Sequence, residues 1–127
     1  MRMTLIILST FLSFIGCLTD SSEKLLEPKA VSATIIKGAI FEGRTITFSV
    51  VCEIPEPCWR FAGFSTSTSG QSITTVIFAQ RMTNDPCLQV LSSIEAPVTS
   101  VVPSSGVYTF RFWQYNGETL DTTLTIP

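Results

Sequence analysis

Gly106-Val107-Tyr108-Thr109-Phe110-Arg111-Phe112-Trp113-Gln114-Tyr115 is the stretch on which the fold turns. Tyr108, Phe110 and Phe112 alternate with Thr109, Arg111 and Trp113. A period of two marks a β-strand with an aromatic face and a mixed face. Each ring can bury roughly 150–250 Å². At about 25 cal/mol/Å² the three rings offer on the order of 10 kcal/mol of gross burial. Asn116-Gly117 turns the chain out of this strand and into Thr119–Ile126. A two-residue loop would set the rings against threonines and Asp121. A three-residue loop, Tyr115–Gly117, sets Phe112 opposite Leu120, Phe110 opposite Thr122 and Tyr108 opposite Leu124. Only the second makes the apolar faces coincide, so it is the expected register. It also places Arg111 opposite Asp121 and asks for positive φ at Gly117.

Working outward, the same alternation recurs. Ile46, Phe48 and Val50 alternate with Thr45, Thr47 and Ser49 over Arg44–Cys52. Weaker strands are expected at Val31–Lys37, with Ala39–Glu42 set between Gly38 and Gly43. A strand over Cys58–Ser65 carries Trp59 and Phe61 on one face, followed by a turn at Ser67–Ser72. Ile73–Met82 is continuously apolar at Val76-Ile77-Phe78. Thr83–Pro86 is a turn cluster. Leu88–Ile94 and Val98–Val102 read as strands interrupted by Pro97. No stretch after residue 30 has helical periodicity. About seven or eight short strands at regular spacing predict an all-β sandwich.

The chain of 127 residues fits one domain, and 45% apolar residues are enough for a core. A net charge of −2 gives no basic footprint for nucleic acid. Histidine is absent, which removes the commonest general base and metal ligand. Neither a phosphate-binding glycine loop nor a nucleotide fingerprint occurs, and no cofactor is expected.

Met1-Arg2-Met3 is a short basic segment, followed by the apolar run Leu5–Ile15 and then Gly16-Cys17. The run is too short to span a bilayer as a helix and reads as an export signal. Phe14-Ile15-Gly16-Cys17 resembles the lipobox of bacterial lipoproteins. The resemblance implies cleavage before Cys17, lipidation of that cysteine, and a chain held at the cell membrane or outer membrane with its domain periplasmic or extracellular. An ordinary secretory signal is the alternative. Residues 1–16 are then the signal peptide, 17–30 the lipidated N-terminus and a polar tether, and 31–127 the folded domain.

Gly106-Val107-Tyr108-Thr109-Phe110 is similar to the tyrosine corner of immunoglobulin-like domains, with Phe110 where those domains carry a cysteine. Ile46 and Trp59 resemble the strand-B cysteine and strand-C tryptophan of that family. The resemblance implies an immunoglobulin-like Greek-key sandwich over residues 31–127, with Ile46 and Phe110 replacing the disulfide between its sheets. It carries no function.

Export places Cys52, Cys58 and Cys87 in an oxidising compartment. Cys52 continues the inward phase of Ile46, Phe48 and Val50. Inward Trp59 and Phe61 turn Cys58 and Arg60 outward. Cys58 and Cys87 each follow a proline, and a hairpin at Ser69-Gly70 would bring them to one end of the domain. A Cys58–Cys87 bridge with a buried Cys52 thiol is therefore favoured, and Cys52–Cys58 is the rival. Three scattered thiols without histidine make a poor zinc site, and no Cys-x-x-Cys motif is present.

Glu53 and Glu56 flank a proline loop, and Glu118 and Asp121 lie in the last hairpin; solvated loop charges are the expected reading of all four. No Ser/His/Asp triad can form, so an enzyme is not expected. Arg111, Trp113 and Tyr115 on the mixed face are a candidate binding patch, since Trp, Tyr and Arg are the usual anchors of interfaces. The plainer reading is that they pack against the tether or a neighbouring loop. The expected function is a lipid-anchored, non-catalytic binding or structural module of the bacterial cell envelope, touching the membrane through its lipid and an envelope protein or glycan through its domain. A protease inhibitor using the stiff loop Glu53–Arg60 is the alternative.

Overall fold

The computed structural model describes residues 27–82 and 86–127. The signal segment, Cys17, most of the tether and Thr83–Asp85 lie outside the described residues. The chain forms β1 (Lys29–Val31), β2 (Ala33–Glu42), β3 (Thr45–Ile54), β4 (Trp59–Ser69), β5 (Ser72–Arg81), β6 (Ser92–Val101), β7 (Gly106–Trp113) and β8 (Thr119–Ile126). They build two sheets, β2-β3-β6 and one in which β5 lies between β4 on one side and β1 and β7 on the other, with β8 beyond β7. The result is the expected all-β sandwich. Pairing is antiparallel except between β5 and β7, which run parallel over Ser72–Thr75 and Thr109–Phe112. In the immunoglobulin arrangement the tryptophan-bearing strand flanks the tyrosine strand directly. Here β5 stands between them.

Alternation builds the core. Ile46, Phe48, Val50, Cys52 and Ile54 of β3 are buried, as are Ile73, Thr75, Ile77 and Ala79 of β5 and Tyr108, Phe110 and Phe112 of β7. The sheets lock through aromatic rings: Phe48 packs on Phe110 at 4.8 Å between centroids and edge-on to Phe112 at 5.3 Å. Tilted and edge-to-face pairs of this kind add to simple area burial. Ile46 is buried in the same layer, but Phe48 provides the aromatic contact with Phe110 across the sandwich.

The β7–β8 register is the one that coincident apolar faces require. Tyr108, Phe110, Arg111 and Phe112 stand opposite Leu124, Thr122, Asp121 and Leu120. Gln114 N–H donates to the Glu118 carbonyl at 2.9 Å, closing the loop. Asn116 (φ 72°) and Gly117 (φ 74°) both turn left-handed within it. Asp121 accepts the Thr119 hydroxyl at 2.6 Å. Tyr108 forms the corner its sequence pattern implies: its hydroxyl donates to the Ser104 carbonyl, four residues upstream, at 2.9 Å.

Several boundaries differ from the sequence reading: β2 runs unbroken through Gly38, with the N-terminal break at Ser32 instead, and β3 continues to Ile54. Ser67–Ser69 continue β4, and the turn is the two-residue Gly70-Gln71, with Gly70 at φ 58°. Pro97 does not interrupt β6, because β6 is an edge strand, the place in a sheet where a missing ladder N–H is tolerated, and its ring lies on the exposed face. Residues 88–91 are not strand: Pro55 ends β3 after Ile54, so β6 finds a partner only from Ser92 onward. At the N-terminus the folded domain opens at Lys29, which pairs with Ala79. The chain then crosses from one sheet to the other at Ser32. Gln114 Nε2 donates to the Ala33 carbonyl at 2.7 Å, and Glu53 N–H donates to the Ser32 carbonyl at 2.9 Å.

Candidate functional site

Trp113 and Tyr115 come together at this crossing point. Their rings meet edge-to-face, 5.4 Å between centroids, and Tyr115 N–H donates to Ser32 Oγ at 3.1 Å. Trp113 is half-buried and Tyr115 is 42% exposed. Burial, and secondarily the Glu53 carboxylate, pushes the Tyr115 phenol above its ordinary value. Arg111 is exposed on the same side of β7. Trp113 and Tyr115 are thus brought together, with Arg111 further along the same face of β7, while the Tyr115 backbone and the Gln114 side chain tie down the strand crossing.

The Glu53–Arg60 loop is a tight turn drawn in on itself. Trp59 N–H donates to the Glu56 carbonyl at 3.3 Å. The Arg60 guanidinium donates to the carbonyls of Pro57 at 3.0 Å and Trp59 at 3.1 Å. Glu56 pairs with Arg81 at 3.4 Å. A loop that fills a protease cleft must present extended, outward backbone, and these internally engaged carbonyls do not favour that reading.

Cys58 and Cys87 are bridged, with Cα atoms 6.2 Å apart. Cys52 is a free, buried thiol, and burial pushes its pKa up to about 12. Cys58 and Cys87 lie beside Glu56 in the one metal-like grouping among the described residues. With both sulfurs bonded to each other, that grouping offers no thiolate ligand. Glu118 is an exposed loop charge, whereas Asp121 is not in a loop: it is exposed within β8, opposite Arg111, and accepts the Thr119 hydroxyl.

The sequence reading missed a cleft of about 550 Å³ on the outer face of β2-β3-β6, lined by Lys37, Gly38, Ile40, Ser49, Glu95 and Pro97 among others. The β2–β3 pairing shifts register between Ile36 and Gly38, and a Cβ placed on Gly38 would meet nothing within 4 Å. That bare backbone opens the cleft. Ile40, 68% exposed, and Pro97 make apolar walls. Glu95 accepts a hydrogen bond from the Ser49 hydroxyl and pairs with Lys37 Nζ at 3.4 Å. The Ser49 bond, then Lys37, holds its carboxyl below the usual glutamate range. Nothing local foretold this pair, because its members lie 58 residues apart; the only available signal was Gly38 inside an otherwise regular strand.

Comparison with family models, curated proteins and solved structures finds no match for the chain.

Proposed function

We propose that this is an exported, lipid-anchored protein of the bacterial cell envelope whose β-sandwich works by binding and not by catalysis. The Cys58–Cys87 bridge carries the reading. Disulfides persist in oxidising compartments, and with Cys52 buried as a thiol, Cys17 is the one cysteine left over. It stands directly after the apolar leader, in the lipobox-like position. Lipidation there places the domain at a membrane, where its partner is an envelope protein or glycan.

The cleft on β2-β3-β6 is the better ligand surface, because it combines apolar walls with the Lys37–Glu95 charge pair, the usual make-up of a binding site. The Arg111, Trp113 and Tyr115 patch is the second. Labelled palmitate should enter wild type and not Cys17→Ser, and globomycin should cause precursor to accumulate. Label-free wild type would refute the anchor. Pull-down from native envelope should lose its partner with Gly38→Leu, which fills the cleft from a position with room for a side chain. Loss with Trp113→Ala alone would move the site to β7, and an unchanged partner set in both variants would refute binding through either surface.

A further inference from the structure

Lys29 pairs with Ala79 near the end of β5, and its Nζ lies 6.0 Å from the centre of the Trp59 ring. Trp59, the first residue of β4, pairs with Arg81, the last of β5. Cys58 precedes Trp59 and is bridged to Cys87. The chain therefore enters the domain at the same pole as the β3–β4 turn and the segment that follows Cys87. The turns at Gly43-Arg44 and Gly70-Gln71 lie at the far pole, where β2 meets β3 and β4 meets β5.

The segment after Cys87 is Leu88-Gln89-Val90-Leu91. Its apolar side chains are 75%, 58% and 67% exposed, and Met82, just after β5, is 49% exposed. Large apolar groups concentrated on one loop mark a contact surface more often than apolar residues scattered singly. The bridge at Cys87 and the Ser92 hydroxyl, which donates to the Val90 carbonyl at 3.0 Å, fasten the loop at both ends.

We infer that Leu88, Val90 and Leu91 dock on the lipid surface to which the chain is anchored. This rests on the reading of Cys17 as the lipidated residue. From Cys17 to Glu27 the chain reaches at most about 35 Å when fully extended, so the entry pole cannot stand far from the bilayer. Three side chains are a weak membrane ligand by themselves. Tethering makes their insertion intramolecular, and a weak contact then suffices. Apolar side chains of this kind seat at the boundary of headgroups and acyl chains. Docking would hold the entry pole on the membrane and turn the far pole outward, with the cleft on the flank.

The test uses the full acylated chain carrying Val90→Trp, in vesicles of phosphatidylethanolamine and phosphatidylglycerol with a shallow doxyl-labelled lipid. The mass of the Cys17 peptide is read first. With the acyl groups present, the emission that Val90→Trp adds over the wild-type chain, which carries Trp59 and Trp113, should fall several-fold with the spin label. Adding Leu88→Ser and Leu91→Ser should restore the emission while the chain stays on the vesicles. A Cys17 peptide without acyl mass overturns the anchor reading and the docking with it. An acylated chain whose added indole is not quenched, or stays quenched after the two serine substitutions, overturns the docking alone. A blue shift without quenching assigns the loop to a protein partner and likewise overturns it.

Discussion

Removing the Tyr108 hydroxyl takes away its bond to the Ser104 carbonyl and its 3.1 Å contact with the Ser104 hydroxyl, from a ring that is only 2% exposed. Both partner groups belong to Ser104, an exposed residue, and can be rehydrated. Tyr108→Phe should therefore cost about 0.5–1.5 kcal/mol. That is a fall of roughly 4–8 °C per kcal/mol in melting temperature for a domain of this size, read by calorimetry; an unchanged melting temperature would mean that the corner bond contributes nothing. Cys52 gives a pH dependence. Its folded pKa is raised from 9.0 to about 12. Between those values the unfolded thiol has lost its proton and the folded one has kept it, so its contribution is full below pH 9 and is lost as pH rises toward 12. Relative to wild type, Cys52→Ala should be less sensitive to alkali across the lower part of that window. Denaturant titrations at two or three pH values check this, and tyrosine ionisation common to both proteins cancels in the difference.

Strand β7 and its turn were legible at the element scale because burial and register constrain each other. Tyr108, Phe110 and Phe112 could share a face with Leu120 and Leu124 in only one of the two registers considered, and that register forms. The phase of Cys52 against Trp59 likewise foretold the bridge. What could not be read depended on neighbours in space. Pro97 is tolerated because β6 is an edge strand, and sequence does not show which strands lie at an edge. The Leu88–Leu91 segment reads as a strand by composition but has no partner once Pro55 ends β3. The cleft arises from a register shift at Gly38 and a charge pair between β2 and β6, so no single segment contains it. The turn itself supplies a prediction. Gly117 sits at φ 74° with open space where a Cβ would go, so Gly117→Ala tests conformation alone. The left-handed penalty of roughly 1–2 kcal/mol should appear in the urea midpoint. A change at Gly38, where there is room and no left-handed φ, should leave that midpoint nearly unmoved.

For the whole molecule, the bridge encloses β4 and β5 completely, closing a loop with a sequence separation of 29 between Cys58 and Cys87. Those strands carry Trp59, Ile73, Thr75, Ile77 and Ala79 into the core, and β5 is the strand on which β1, β4 and β7 all pair. Without the bridge the unfolded chain regains the freedom of that loop, while the folded ladder of β4 on β5 keeps its hydrogen bonds. Loop-closure entropy alone puts the difference at roughly 3–4 kcal/mol. Domains are commonly stable by only about 5–15 kcal/mol, so this is a large share. Cys58→Ala/Cys87→Ala should therefore remain folded in buffer and give the same ring-current-shifted resonances for Phe48 and Phe110. Its urea midpoint should fall by the corresponding amount, with the slope little changed because much the same surface is exposed on unfolding. A midpoint equal to that of wild type would show that the unfolded chain is already held compact between these residues without the bond. A collapse of the resonances would show instead that the bridge is needed to seat β5 between its neighbours.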